Sequence, residues 1–475
     1  MNIGRNELWM LLAKAAAVAV LILATGFGLW GRIELLAVSG RWTTLFFYIG
    51  VWGLSFLAMF IASLQPATWV RLGWAAVIAV TTAAGWTYQA IAGSSLNVFD
   101  VLSLWAARHE AGRAMDVYGH VWPWTLGILV ITFLVVAIPV DFRQPRLRRA
   151  LAALSWVPLM PLAVIAAIIF LRHGGGSQAL PTQFQPLAVA MVAMERQITH
   201  TMPPRMAVPF VPKKRPAARH IVMLVDESVR GDYLDFRPGN RITPALPDLL
   251  RVAADFGNAV SGGNCSSYSN AILRFTAQPR DLITSARTYP TIWQWAKKAG
   301  FHTVYIDAQS GFVKDPGKLQ NFMTVRETRF IDEIIRIEGV PLDQLDFVLL
   351  GHVVDRLKSD RPVFIYANKN GAHFPYDADY PADHRHFTPT ITDTGRQTLK
   401  SKINSYRNTI SWNVDRFFAR LRERAAGALK DTVIIYTSDH GQNLDPSRLP
   451  HCSTDAPPPR EGLVPMLAIT AGKDL

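Results

Sequence analysis

The chain has 475 residues, half of them hydrophobic, with 14 Trp and a formal net charge of +13, and its mean hydropathy is +0.15. Positive mean hydropathy argues against an ordinary soluble enzyme and calls for membrane segments. Basic loops beside such segments explain part of the positive charge, so no nucleic-acid partner is needed.

Five stretches, Leu8–Trp30, Thr43–Leu64, Trp69–Ile91, Val121–Val140 and Ala150–Leu171, are each about long enough to cross a ~30 Å hydrocarbon core as a helix. Trp and Tyr stand near several ends, where interfacial anchors belong. The first stretch is too long, and lacks the small-residue cleavage pattern, for a removed signal peptide. Arg143, Arg146, Arg148 and Arg149 crowd one short connection, which places it in the cytoplasm. Five spans then put the N-terminus inside and everything after Leu171 outside, in the periplasm of a bacterial inner membrane. The outer loop Ala92–His120 mixes Asp100, Arg108, His109, Glu110, Arg113 and Asp116 with apolar residues, as an amphipathic helix on the membrane does. A solvated face over the bundle is the favoured reading of that loop, ahead of a substrate role.

Residues 172–219 read as a connection between a membrane domain (1–171) and a soluble domain (220–475). Gly174-Gly175-Gly176-Ser177 is a flexible break, and Pro186–Ile198 has the pattern of a short amphipathic helix. Pro203, Pro204, Pro209, Pro212 and Pro216, with Lys213, Lys214 and Arg215, form a stiff basic tether suited to anionic lipid headgroups.

In the soluble domain, apolar strand-like runs end in polar residues: Ile221–Val225 before Asp226-Glu227-Ser228, Thr303–Ile306 before Asp307, Val363–Ala367 before Asn368-Lys369-Asn370, and Val433–Tyr436 before Ser438-Asp439-His440-Gly441. Helical patterns such as Thr291–Ala299 and Ile403–Arg424 lie between them. This alternation predicts an α/β domain with a mainly parallel sheet between helices. Ligands bind beyond the carboxyl ends of such strands. Asp439 and His440 read equally well as a turn cap and as two ligands of one metal. Ser261-Gly262-Gly263-Asn264-Cys265-Ser266-Ser267 leads into a helical pattern. A serine there is most simply an N-cap, and the same position suits a nucleophile attacking phosphate.

Asp226-Glu227-Ser228-Val229-Arg230, the Cys265-Ser266-Ser267 turn, Asn370-Gly371-Ala372-His373-Phe374-Pro375-Tyr376, Ser438-Asp439-His440-Gly441 and His451 followed by Val464-Pro465-Met466-Leu467 occur in one family's order. The chain resembles the membrane phosphoethanolamine transferases of the alkaline phosphatase/sulfatase superfamily, and more distantly the lipoteichoic acid synthases. The resemblance implies a sulfatase-like catalytic domain after five transmembrane helices. It implies Glu227, Asp439 and His440 as zinc ligands, with Ser266 completing the set and acting as nucleophile; one zinc is expected and a second is allowed. Ser267 competes with Ser266, and the match to Gly-Gly-Asn favours Ser266. His373 and His451 are implied at the transferred phosphate or a second metal, with Lys369 and Asn370 as further substrate contacts.

Three departures stand out. Ser occupies a turn where the family commonly has Thr, Gln442 stands where Glu is frequent, and the chain stops soon after Leu467, where another helix usually follows. Either a C-terminal piece is missing or this branch lacks it. Cys265 and Cys452 are the two cysteines; a disulfide across the site and two buried free thiols both fit the sequence. Cys265 as a formylglycine precursor is disfavoured, because Ser269 stands where that pattern has Arg. The implied reaction carries phosphoethanolamine from phosphatidylethanolamine, through a covalent seryl intermediate, to lipid A or an envelope glycan. The alternatives are a metal-dependent phosphodiesterase, phosphatase or sulfatase-like hydrolase, and a non-catalytic relative that binds lipid or protein.

Overall fold

The computed structural model describes residues 5–92, 95–106, 115, 118–142, 144–172, 176–198, 204–209, 218–309, 325–374, 376–446, 448, 450–452 and 457–470. The chain divides into two compact units, residues 1–201 and 202–475.

The first unit is helical: α1 (Arg5–Thr25), α2 (Leu29–Val38), α3 (Trp42–Ser63), α4 (Thr68–Ala92), α5 (Val98–Ala106), α6 (Trp122–Ala137), α7 (Pro145–Ala153), α8 (Leu159–Leu171) and α9 (Gln185–Ile198). Among the described residues, four helical stretches are long and apolar enough to cross a membrane: Glu7–Thr25, Trp42–Ser63, Thr68–Ala92 and Gly119–Ala137. The fifth expected span is broken. It consists of α7, a turn and α8, and the 13 residues of α8 reach only about 20 Å at ~1.5 Å per residue. Pro158, at the N-cap of α8, has no N–H to continue a helix from the preceding turn. The basic stretch is itself partly helical, with Pro145 opening α7 and Arg146, Arg148 and Arg149 exposed.

The start of the expected connection is buried within this unit. Thr182 Oγ1 donates to the Thr25 carbonyl at 2.7 Å, Gln183 Nε2 to Thr25 Oγ1 at 2.8 Å, and Thr81 Oγ1 to the Gln183 carbonyl at 2.6 Å. Irregular backbone among apolar helices needs such partners for its polar groups. The amphipathic helix expected at 186–198 is α9, packed on α4, α5 and α8. His109, Glu110, Arg113 and Asp116 lie outside the described residues, as do Gly174, Gly175, Pro203, Pro212, Lys213, Lys214, Arg215 and Pro216.

Arg205, from the tether, belongs to the second unit. It pairs with Glu327 at 2.8 Å, both side chains buried, donates to the Tyr289 and Ala286 carbonyls, and lies over the Phe275 ring.

The second unit is built on seven strands: β1 (His220–Asp226), β2 (Ala253–Val260), β3 (His302–Asp307), β4 (Glu333–Arg336), β5 (Val363–Asn368), β6 (Thr432–Ser438) and β7 (Leu463–Ile469). Their order is β2-β7-β6-β1-β5-β3-β4. β6, β1, β5, β3 and β4 run parallel, while β7 is antiparallel to β6 and β2. All four strand-like runs of the sequence are strands, and β5 is buried along its whole length. On one face Trp293, Tyr305, Tyr366 and Phe275 pack in a single cluster, drawn from the sheet and from helices α10 (Ser266–Phe275) and α11 (Ile292–Lys298). Helices α12 (Leu345–Leu357), α13 (Leu399–Ile410) and α14 (Phe417–Ala425) follow. A π-helical stretch, Ser411–Arg416, joins α13 to α14.

The π stretch positions the carbonyl of Asn413 to accept from Lys369 Nζ at 2.7 Å. Lys369 is fully buried and pairs with Asp226 at 2.8 Å and with Asp346 at 3.6 Å. Asp346 also accepts from the backbone N–H groups of Asn370 and Gly371, and Tyr436 OH donates to Asp226 at 2.6 Å. Burial pushes the Asp226 carboxyl up to about 6, against the pull of Lys369. Removing the cation strands two buried carboxylates, which costs about 3–5 kcal/mol. Lys369→Met is therefore expected to lower the thermal unfolding midpoint of the second unit sharply in limited proteolysis of the detergent-solubilised chain; an unchanged midpoint would show that the pair carries no net stability.

Candidate active site

Glu227 is the first residue after β1, and Asp439 and His440 are the first two after β6. Ser266 opens α10, directly after the extended Cys265. Ser266 Oγ lies 3.1 Å from each oxygen of Glu227 and 3.0 Å from His440 Nε2. His440 Nε2 is 3.2 Å from Glu227 Oε1 and 3.7 Å from Asp439 Oδ2. One ligand atom each from Glu227, Asp439 and His440 falls within 4.8 Å of the others.

The turn after β1 requires unusual backbone. Ser228 has φ 61°, and its N–H donates to Asp439 Oδ1 at 3.1 Å. Gly371, at φ 60°, approaches so closely that a Cβ there would sit 2.5 Å from the Glu227 carbonyl oxygen; only glycine fits. His440 Nδ1 faces the Gly441 carbonyl at 2.7 Å, which makes Nδ1 the donor and turns the Nε2 lone pair toward the cluster. Asn270 Nδ2 donates to Asp439 Oδ2 at 3.3 Å, and Gln309 Nε2 to Glu227 Oε2 at 3.4 Å.

His451 packs beside His440, ring centroids 4.4 Å apart, and its Nδ1 lies 3.1 Å from Gln442 Oε1. Gln442 Nε2 in turn donates to Tyr376 OH. His373, partly buried, bonds the Phe374 carbonyl and acts electrostatically on Glu227 and His451. Cys265 and Cys452 form a disulfide, Cα atoms 4.6 Å apart; the Cys265 sulfur is thus not free for conversion to formylglycine. The Ser267 side chain lies outside the described set. Lys369 and Asn370 depart from the expectation of substrate contacts. Both are fully buried, and Asn370 Nδ2 donates inward to Asp379 at 3.1 Å.

Three residues escaped the sequence reading. Asn270 follows Ser266 by four positions and so shares its helix face, a signal open to inspection. Gln309 lies just past β3, at the same sheet edge as the other polar groups. Lys402, nearly fully buried, makes one long bond, 3.4 Å to the Asp445 carbonyl; nothing local in α13 marked it, since its neighbours Phe374 and His451 are distant in sequence.

The cluster strains against its own charges. Burial and the neighbouring Glu227 push the Asp439 carboxyl up to about 8. For His440, burial is outweighed by Asp439 and Glu227, which raise its pKa to about 9. Burial of Glu227 is likewise outweighed, chiefly by His440, leaving it well below the usual range. Burial holds His451 well below the ordinary imidazole value. A divalent cation fits this donor set. Ligand bonds of ~2.0–2.1 Å in a tetrahedron place donor atoms about 3.3 Å apart, close to the spacings among Ser266, Glu227, Asp439 and His440.

Residues 219–474 match the Sulfatase family model. The chain belongs to the sulfatase family. Among solved structures, the integral membrane lipooligosaccharide phosphoethanolamine transferase A of Neisseria meningitidis is similar at 18% identity and a TM-score of 0.67, over 96% of this chain and 88% of that one. The periplasmic domain of the Escherichia coli protein EcEptC, solved in complex with Zn, matches at 21% identity and a TM-score of 0.47, over 57% of this chain and 77% of that one. No curated protein is matched by sequence search. At these identities the likeness is one of fold, and in the first case it spans apolar helices as well as the sulfatase-family domain.

Because burial and neighbouring charges raise Asp439 and His440 toward their protonated forms, cation binding must displace protons from the cluster. Apparent zinc affinity is therefore expected to climb as pH rises from 6 toward 9, by about tenfold per unit for each proton released, and to level off above. Calorimetric titrations in buffers of different ionisation heat measure the released protons; a pH-independent affinity would contradict the assignment.

Proposed function

We propose that this chain is a zinc-dependent phosphoethanolamine transferase of the bacterial inner membrane, with its second unit in the periplasm. In this reading phosphatidylethanolamine is the donor and lipid A or an envelope glycan the acceptor. The observation that carries the reading is the placement of Ser266 Oγ at the start of a helix, 3.0–3.1 Å from His440 Nε2 and both Glu227 oxygens. The fold shared with a named phosphoethanolamine transferase supports the choice of chemistry.

Glu227, Asp439, His440 and Ser266 would hold the metal. When bound, zinc lowers the pKa of a coordinated hydroxyl and offsets negative charge on a phosphoryl group. Ser266 Oγ attacks phosphorus; the bond from phosphorus to the diacylglycerol oxygen breaks, and diacylglycerol leaves with a proton. The N-terminus of α10 faces the charge that develops on the phosphoryl oxygens. His451, with its pKa depressed, is neutral at pH 7 and able to take a proton, while Gln442 fixes its ring. The acceptor then attacks the seryl ester and releases Ser266, and His373 is the second proton carrier within the site.

The test uses detergent-solubilised full chain, zinc-loaded, with headgroup-labelled phosphatidylethanolamine. Ser266→Ala is expected to lower diacylglycerol release by about 10³-fold or more, with Ser267→Ala close to wild type. Survival of turnover in Ser266→Ala with loss in Ser267→Ala would move the nucleophile by one residue. Free phosphoethanolamine appearing at the full rate without acceptor would make the protein a hydrolase.

A further inference from the structure

The disulfide ties two reacting positions together. Cys265 immediately precedes Ser266 and Cys452 immediately follows His451, so one covalent bond joins the neighbours of the proposed nucleophile and of the proposed proton carrier across 187 residues of sequence. Between β6 and β7 the chain makes a long excursion in which Pro459–Glu461 is the one helix among the described residues. Loops of this length inside a compact domain are commonly functional. Besides the disulfide, Cys452 N–H donates to the Asn264 carbonyl at 2.8 Å, Asn264 Nδ2 donates to Glu461 at 2.8 Å, and His451 meets Gln442. The Cys452–Asn264 and His451–Gln442 bonds are single neutral hydrogen bonds, which are modest anchors.

Cys452 also has φ 63°, a left-handed conformation that costs free energy for any residue with a Cβ and persists only where the surroundings enforce it. The disulfide is the strongest enforcement at this position. Once it opens, relaxation of Cys452 to negative φ turns the peptide that carries His451.

We propose that the Cys265–Cys452 disulfide is a positioning device for the transfer reaction: it holds His451 against His440, and the enzyme reaches its full rate only while the bond is oxidised. The inference rests on the roles given above to Ser266 and His451. Opening the bond with a water-soluble trialkyl phosphine yields two thiols and the phosphine oxide, water supplying the oxygen and the protons.

The experiment compares zinc-loaded full chain in three states: oxidised, phosphine-reduced, and Cys452→Ser. The first readout is independent of turnover. The rate at which diethyl pyrocarbonate modifies His451, followed by peptide mass spectrometry, is expected to rise about 5-fold or more once the loop is released. The second is kinetic. For labelled phosphatidylethanolamine kcat should fall about 10–100-fold with KM within about twofold, zinc content should stay constant, and reoxidation should restore the wild-type rate. Unchanged His451 reactivity and kcat, with only a lowered melting temperature, would overturn the proposal and leave the bond a structural brace. If the oxidised protein shows no transferase turnover, the proposed reaction fails, and the His451 modification rates decide the positioning claim alone. If Cys452→Ser does not fold, reversible reduction of the folded wild type, with its circular dichroism unchanged, decides in its place.

Discussion

The site depends on one register. β1 and β6 pair in parallel with Asp226 opposite Ser438, so the residues that follow, Glu227 and Asp439, leave the sheet side by side at the same edge. Parallel pairing supplies this convergence because both chains run out in one direction. β5 pairs on the other side of β1, placing Asn368 beside Val225, and the Gly371 turn presses against the Glu227 backbone. A slip of one residue between β1 and β6 would turn the strand faces over and separate the carboxylates. The helix that carries Ser266 then needs only to meet an edge already assembled.

Beneath this edge lies a second charged layer. Asp226 ends β1, Lys369 follows β5, and Asp346 lies in the first turn of α12; together they tie two strand ends and one helix through one ammonium. The Asn413 carbonyl, which accepts from Lys369, sits in the π stretch, where the regular ladder is interrupted and local geometry departs from the α-helix. This layer explains why a lysine beside the motif of β5 points inward. Its place beside the strand-end motif implied a substrate contact, and the two acids that claim it lie 143 and 23 residues upstream.

Much of the sheet was legible because buried parallel strands read as unbroken apolar runs, and Ile221–Val225, Val363–Ala367 and Val433–Tyr436 are such runs. β2 and β7 were less so: β2 is largely exposed, and Pro465 interrupts β7. The clustering of Glu227, Asp439 and His440 could be anticipated from strand ends, since the fold itself brings carboxyl termini to one edge. What stayed hidden depended on contacts between distant residues. The disulfide required the Cα atoms of positions 265 and 452 to approach, which no local pattern encodes. Arg205 falls within the stretch read as a tether, and its buried partner Glu327 is 122 residues away. The fifth apolar stretch had the length of a span by composition, yet Pro158 divides it.

The charge of the buried interior ties these layers to the metal. Without a cation, the shifts favour a protonated Asp439 and a positive His440 beside an ionised Glu227, so these three side chains together carry no net charge. With a dication in place, an ionised Asp439 and a neutral His440 beside Glu227 would again bring the sum to zero. Two protons and one dication are thus interchangeable occupants of the same electrostatic place. An interior that cannot rehydrate tolerates this exchange far better than a change of total charge. His451, held neutral by burial, adds no charge to either state and stays free to take a proton.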